Sequence, residues 1–196
     1  AGRLGHLRAI AQIGVLLGAG HQDGLELLRR AGRAGWMVAM YALASALSDS
    51  AEGRYWKSAA AAAGHPYATG TGAPVAAAAA SAGTDPDWQR LPEAIDLSWV
   101  DDPIRRTVEL REPHIETIEQ FLPLAVCDYV VGMAAPALQR GRVLAGHGSE
   151  VVSAERTNAV MTFELADSDF LLELMNVSAA AAAGMPCVII GRGRSS

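Results

Sequence analysis

Lysine is nearly absent from this chain: Lys57 stands alone beside fifteen arginines in 196 residues. The Ala and Gly load runs the same way, and both biases fit the codon usage of a GC-rich bacterial genome, so no function attaches to them. Charged side chains make up 19% of the sequence, below the usual quarter, which argues against long solvated tails. No run of 18 apolar residues occurs, so no membrane-spanning helix is expected. Only two cysteines are present, Cys127 and Cys187, in apolar surroundings and outside any metal-ligand spacing. Buried free thiols are expected from them rather than a disulfide, which favours a reducing, cytoplasmic compartment. The chain opens at Ala1 with neither Met nor a signal-peptide pattern, as a processed start or a piece of a longer protein would.

Several functional signatures are missing too. His6, His21, His65, His114 and His147 never fall at i, i+4 with another ligand, so no metal is expected. Ser149, His147 and Glu155 make no hydrolytic set, because Gly146-His147-Gly148-Ser149-Glu150 lacks the last Gly of the nucleophile elbow. Arg29, Arg30 and Arg33 form a basic helix face, but aromatic interleaving and a net basic charge are lacking, so a solvated face is expected rather than nucleic-acid binding. No cofactor is expected.

The chain is, by contrast, rich in helix signals. Leu4, Leu7, Ile10, Ala11, Ile13, Gly14 and Leu17 recur at steps of three and four, so a helix is expected from Arg3 to Leu17, stopped at Gly18-Ala19-Gly20. Asp23 is placed to cap a second helix ending at Gly32 or Gly35. A third runs from Met37 to Leu47. Ser48-Asp49-Ser50 then caps a fourth, Ala51 to Ala63, with Gly64 and Pro66 in the order of a helix C-terminus. Ala34-Gly35-Trp36 and Ala63-Gly64-His65 close the second and fourth segments alike, 29 residues apart. A period near 30 built of helix pairs marks units that stack because none buries its apolar face alone.

Ala39-Met40-Tyr41-Ala42-Leu43-Ala44 has the A-x-x-x-L-A spacing of a first repeat helix, and Tyr55-Trp56, Ala59-Ala60 and Gly64-His65-Pro66 follow as in a second. Residues 39–68 thereby resemble a tetratricopeptide or Sel1-like repeat, and residues 10–36 match it more loosely. The resemblance implies a right-handed helical stack that binds a peptide or another subunit on its concave face. The aromatics Trp36, Tyr41, Tyr55, Trp56 and Tyr67 cluster in this region; such side chains anchor peptides or fill gaps in an Ala-rich stack. The first four are the expected partner-binding residues. Self-association through an unpaired end of the stack is a further expectation. A competing reading takes Ile13–Leu17 as a strand and Gly18–Gly24 as a phosphate loop for a nucleotide. Its G-x-G-x-x-x-G spacing is one residue off the dinucleotide fingerprint, and no acidic residue ends the second strand that it needs at Val38–Ala42.

Beyond Ala68 the texture changes. Gly, Pro, Ser and Ala dominate 69–92, which reads as a linker between a helical repeat at 1–68 and a small α/β domain at 93–196. The expected class is α+β overall. Alternation predicts strands over Ala94–Val100 and Thr107–Arg111. Helical spacing predicts helices over His114–Leu122 and Leu124–Ala135, and a hairpin is expected around Gly146-His147-Gly148. A strand at Ala159–Leu165, a helix capped by Asp167 or Ser168 and ending at Gly184, and a strand at Cys187–Ile190 would form a parallel crossover. In such a unit the carboxyl ends of the strands gather Asp167, Asp169 and Arg192, the candidate catalytic set if the chain is an enzyme rather than an interaction or regulatory module. The alternative is capping acids and a solvated tail. Residues 1–68 carry seven basic and four acidic groups and the remainder nine and seventeen. Opposite net charges of this kind suggest that the two parts dock on each other.

Overall fold

The computed structural model describes residues 6–69, 85–101, 106–144, 150–151, 157–164 and 169–186. Its N-terminal half is two helix pairs: α1 (Leu7–Leu17) with α2 (Gln22–Arg33), and α3 (Met37–Ala46) with α4 (Ala51–Ala62). Local chemistry sets the ends. Nδ1 of His6 accepts from the Ala9 amide at the start of α1, and Gly18, at φ 78°, ends it in a backbone region that a side chain would resist. Ser50 caps α4 by accepting from the Gly53 amide at 2.8 Å. Asp23 lies inside the first turn of α2, whose N-cap is His21.

Small residues let the helices close on one another. A Cβ at Gly14 would come within 2.8 Å of the Gly24 carbonyl oxygen, so α1 and α2 cross at backbone contact. A Cβ at Gly32 would lie 2.8 Å from the Trp56 ring, which is 1% exposed and fills the space between α2 and α4.

The second half is α+β, with short antiparallel pairs and two further long helices. After a 3₁₀ turn (Leu91–Ala94) and a short helix α5 (Ser98–Asp101), β1 (Arg106–Leu110) pairs antiparallel with β2 (Ile115–Ile118). Helix α6 (Leu124–Ala134) leads to β3 (Gln139–Arg140), β4 (Val143–Leu144), β5 (Glu150–Val151), β6 (Ala159–Val160) and α7 (Phe170–Ala183). The hairpin expected around residues 146–148 is the β4–β5 pair.

Two sequence expectations need correction. The strand foreseen over Ala94–Val100 is helical turn at both ends, because Asp96 Oδ1 accepts from the Ser98 amide at 2.9 Å and starts α5. That hydrogen bond holds the Asp96 carboxyl below its ordinary range. The helix foreseen over His114–Leu122 is β2 instead. Ile115 and Ile118 satisfy a helical step, but pairing with β1 overrides it, with Arg106 opposite Ile118 and Val108 opposite Glu116. Pro113 sits in the turn between them. Of the expected crossover, β6 is two residues long and pairs antiparallel with β3, and Cys187–Ile190 lies outside the described residues.

One core runs through both halves. Leu25, Leu28, Val38, Leu43 and Trp56 pack with Val126 and Tyr129 of α6 and Leu171 of α7. Helix α6 lies against α1 and α3, and α5 against α7. From Asp85 onward, the described part of the expected linker packs as well: Trp88 and Leu91, with Ile95 just beyond it, cover Ile10, Leu17 and Leu27. The opposite charges of the halves meet in ion pairs such as Arg8–Asp169 at 3.0 Å and Arg30–Asp85 at 2.6 Å. Among the described residues no helix is long and apolar enough to cross a membrane.

Candidate functional site

A cleft of about 320 Å³ opens at the end of the α3–α4 pair. Tyr41, Ala44 and Ser45 of α3 line it, with Ser48 from the turn, Gly53, Arg54 and Lys57 from α4, and Tyr67 and Ala68 beyond. Its aromatic wall is built by His65. The imidazole stacks on Tyr41 with ring centres 4.0 Å apart and planes 15° off parallel, and it meets the edge of Tyr67 at 6.2 Å. His65 is 3% exposed, and burial pushes its basicity below the usual imidazole value. Its Nδ1 accepts from the Tyr67 amide at 3.3 Å, so a neutral ring carries its proton on Nε2, and Nε2 is buried with no partner among the described residues. Burial first, then the Asp128 charge, raises the Tyr41 phenol pKa, so Tyr41 presents a neutral hydroxyl. Arg54 and Lys57 are exposed, and among the described residues no carboxylate pairs with either.

The residues singled out from the sequence are dispersed. Tyr41 lines the cleft. Trp56 is core, its Nε1 donating to Glu52 Oε1 at 3.1 Å, and Tyr55 stands edge-on to it at 5.0 Å. Trp36 is half-buried, edge-on to Tyr129 at 5.9 Å. The aromatic cluster is therefore shared between gap-filling and a cleft wall.

Of the candidate catalytic set, Asp167 and Arg192 lie outside the described residues. Asp169 caps α7, its Oδ1 accepting from the Leu172 amide at 3.0 Å, while Oδ2 accepts from Arg8 Nε at 3.0 Å and from the Tyr129 hydroxyl at 2.5 Å. Gln12 Nε2 donates to the same hydroxyl at 3.3 Å. Both Asp169 oxygens are occupied and its side chain is 5% exposed, an arrangement that ties α1, α6 and α7 together. Burial, then the Asp169 hydrogen bond, pushes the Tyr129 phenol well above its usual pKa.

The strand required by the nucleotide reading at Gly18–Gly24 is replaced by helix, since Ile13–Leu17 belongs to α1 and Val38–Ala42 to α3. The arginines of α2 are engaged: Arg29 forks onto Glu52 at 2.6 and 2.9 Å, Arg33 meets Glu26 at 2.5 Å, and Arg30 meets Asp85. Among the described residues no group of three or more metal-ligating side chains converges. Cys127 carries a free thiol, whose pKa is raised by burial.

Sequence reading missed three polar groups. Gln12, Asp128 and Tyr129 sit on segments judged by their apolar neighbours, and a polar residue inside an apolar run is itself the signal of a buried contact. Arg54 and Lys57 were missed because isolated cations on an exposed helix face have no motif. No protein-family model matches the chain, and no curated protein and no solved structure is similar enough to count as a match.

Proposed function

We propose that this chain is a protein-interaction module that receives an acidic, aromatic-bearing peptide segment of a partner at the α3–α4 end of its helical stack. The carrying observation is the cleft in which Arg54 and Lys57 stand beside Tyr41 and Tyr67 with no carboxylate paired to either among the described residues. Aromatic side chains supply contact area with little rotamer entropy to lose, and the two cations favour an acidic segment and speed its encounter. The helix-pair arrangement of residues 7–62 supports the same reading, because stacked helix pairs expose an end that a further unit or a ligand completes.

The test is a fluorescence-anisotropy titration with labelled Asp/Glu-rich peptides containing Tyr or Phe, against Lys-rich peptides of the same length. The acidic peptides should bind at least tenfold tighter, with affinity falling as salt rises. Arg54→Ala with Lys57→Ala should remove the preference while thermal unfolding stays unchanged. Equal binding of both peptide sets, or a double variant that still discriminates, would refute the assignment.

A further inference from the structure

A second cavity lies between the C-terminal end of α1, the last turns of α3 and the start of α6. It measures about 290 Å³, with Val15, Leu28, Ala42, Leu124 and Ala125 among its walls. Among the described residues its only polar side chains are Ser45 and Asp128. The Ser45 hydroxyl donates to Asp128 Oδ2 at 2.6 Å, which fixes the carboxylate. Oδ1 of Asp128 has no donor, and no cation faces it, among the described residues. Solvent reaches Oδ1, so a cation seated there would replace water on a carboxylate that Ser45 already orients beside hydrocarbon.

The geometry points to a small aliphatic amine as the ligand of this cavity. Its ammonium would sit on Asp128 Oδ1 and its hydrocarbon against Val15, Leu28 and Ala42. A carboxylate ligand would meet Asp128 as a like charge, and a hydrocarbon alone would leave Oδ1 unpaired. Ser45 acts as a positioning residue. The site shares Ser45 with the peptide cleft on the other side of α3, where the charges are cationic and select the opposite ligand.

Isothermal titration of the whole chain with n-alkylamines from propyl to octyl, against the n-alkanols of equal length, tests this. Amine affinity should rise about fourfold per methylene until the cavity is full, with each alcohol at least tenfold weaker than its amine. Asp128→Asn keeps an acceptor for Ser45 and should erase the amine's advantage. Ala125→Leu fills the cavity from the α6 side and should weaken the longer chains, with both variants checked for unchanged melting. Amine and alcohol binding alike, a preference that survives Asp128→Asn, or no saturable binding at any chain length would overturn the assignment.

Discussion

Replacing Tyr129 with Phe keeps the ring packed in the core and deletes one oxygen. That oxygen donates to Asp169 Oδ2 at 2.5 Å and accepts from Gln12 Nε2 at 3.3 Å, between side chains that are themselves buried. A hydrogen bond to a charged acceptor contributes about 1.5–3 kcal/mol, and a buried amide left unpaired costs about 1–3 kcal/mol. Asp169 keeps Arg8 and the Leu172 amide, so the two losses overlap, and the expected net destabilisation is about 2–4 kcal/mol. In a chain of this length that lowers the melting temperature by about 5–15 °C. Urea unfolding followed by circular dichroism measures it directly. The pH dependence supplies a second readout. The folded chain holds the phenol proton above the ordinary value of 10.0, where the unfolded chain releases it. Stability contributed by Tyr129 is therefore complete below pH 10 and declines as pH rises further. Tyr129→Phe should lack that alkaline decline. A loss below about 1 kcal/mol, with the alkaline limb unchanged, would refute the claim that this hydroxyl ties α1, α6 and α7 together.

Three further outcomes follow from single contacts. Gly32→Ala should gain about 1 kcal/mol of helix propensity yet lose about 1–3 kcal/mol by forcing a Cβ to 2.8 Å from the buried Trp56 ring. A lower urea midpoint is expected, and a raised one would mean that Trp56 swings aside. Glu52→Gln breaks the fork from Arg29, which holds the Glu52 carboxyl below its ordinary 4.5. The stabilisation from that fork is present above pH 4.5 and is lost as pH falls through the lower folded value. The variant should lose about 1–2 kcal/mol at neutral pH and show a flatter acid limb in urea midpoints taken from pH 7 down. His65→Phe preserves a ring against Tyr41 and removes an imidazole whose basicity burial depresses below 6.5. Between pH 6.5 and 4.5 wild-type stability should decline more steeply than the variant's; parallel melting curves against pH over that span would contradict the burial argument.

How much of this was legible in the sequence follows from what each segment depends on. Helices α1 to α4 were readable because the apolar spacing agrees with local end signals, Ser50 capping α4 and Gly18 and Gly64 at helix ends, although Asp23 lies inside α2 rather than capping it. Helix α7 ends at Gly184, in the left-handed conformation, for the same reason. The strand expected over Thr107–Arg111 is β1, whereas residues 94–100 and 114–118 were misread because their structure is decided at a distance or by one side chain: β2 by its partner strand, α5 by Asp96. The cleft and the polar contacts were hidden for a different reason. Arg8 meets Asp169 across 161 residues of sequence and Ser45 meets Asp128 across 83, and no local window contains either pair.

The location of both cavities follows from side-chain size along one helix. Helix α3 carries Ala42, Ala44, Ser45 and Ala46 around the core residue Leu43 in its last turns, and its earlier turns carry Met37, Val38, Met40 and Tyr41 around Ala39. Early in α3, α6 closes on it because Gly132 has no side chain: a Cβ there would lie 3.0 Å from Val38 Cγ1. Where the side chains of α3 are small, neighbouring helices held at the same spacing leave room, with Ala42, Ser45 and Ala46 bordering the cavity toward α6 and Ala44 and Ser45 bordering the cleft toward α4. Packing otherwise leaves few voids larger than a water molecule, so space of this size on two sides of one turn is a consequence of alanine where leucine would fill it. The alanine load that composition alone assigns to the genome thus has a structural effect at this one place. Ala46→Leu should fill the cavity toward α6 and spare the cleft, Ala44→Leu the reverse, and amine and peptide titrations on the two variants would separate the sites.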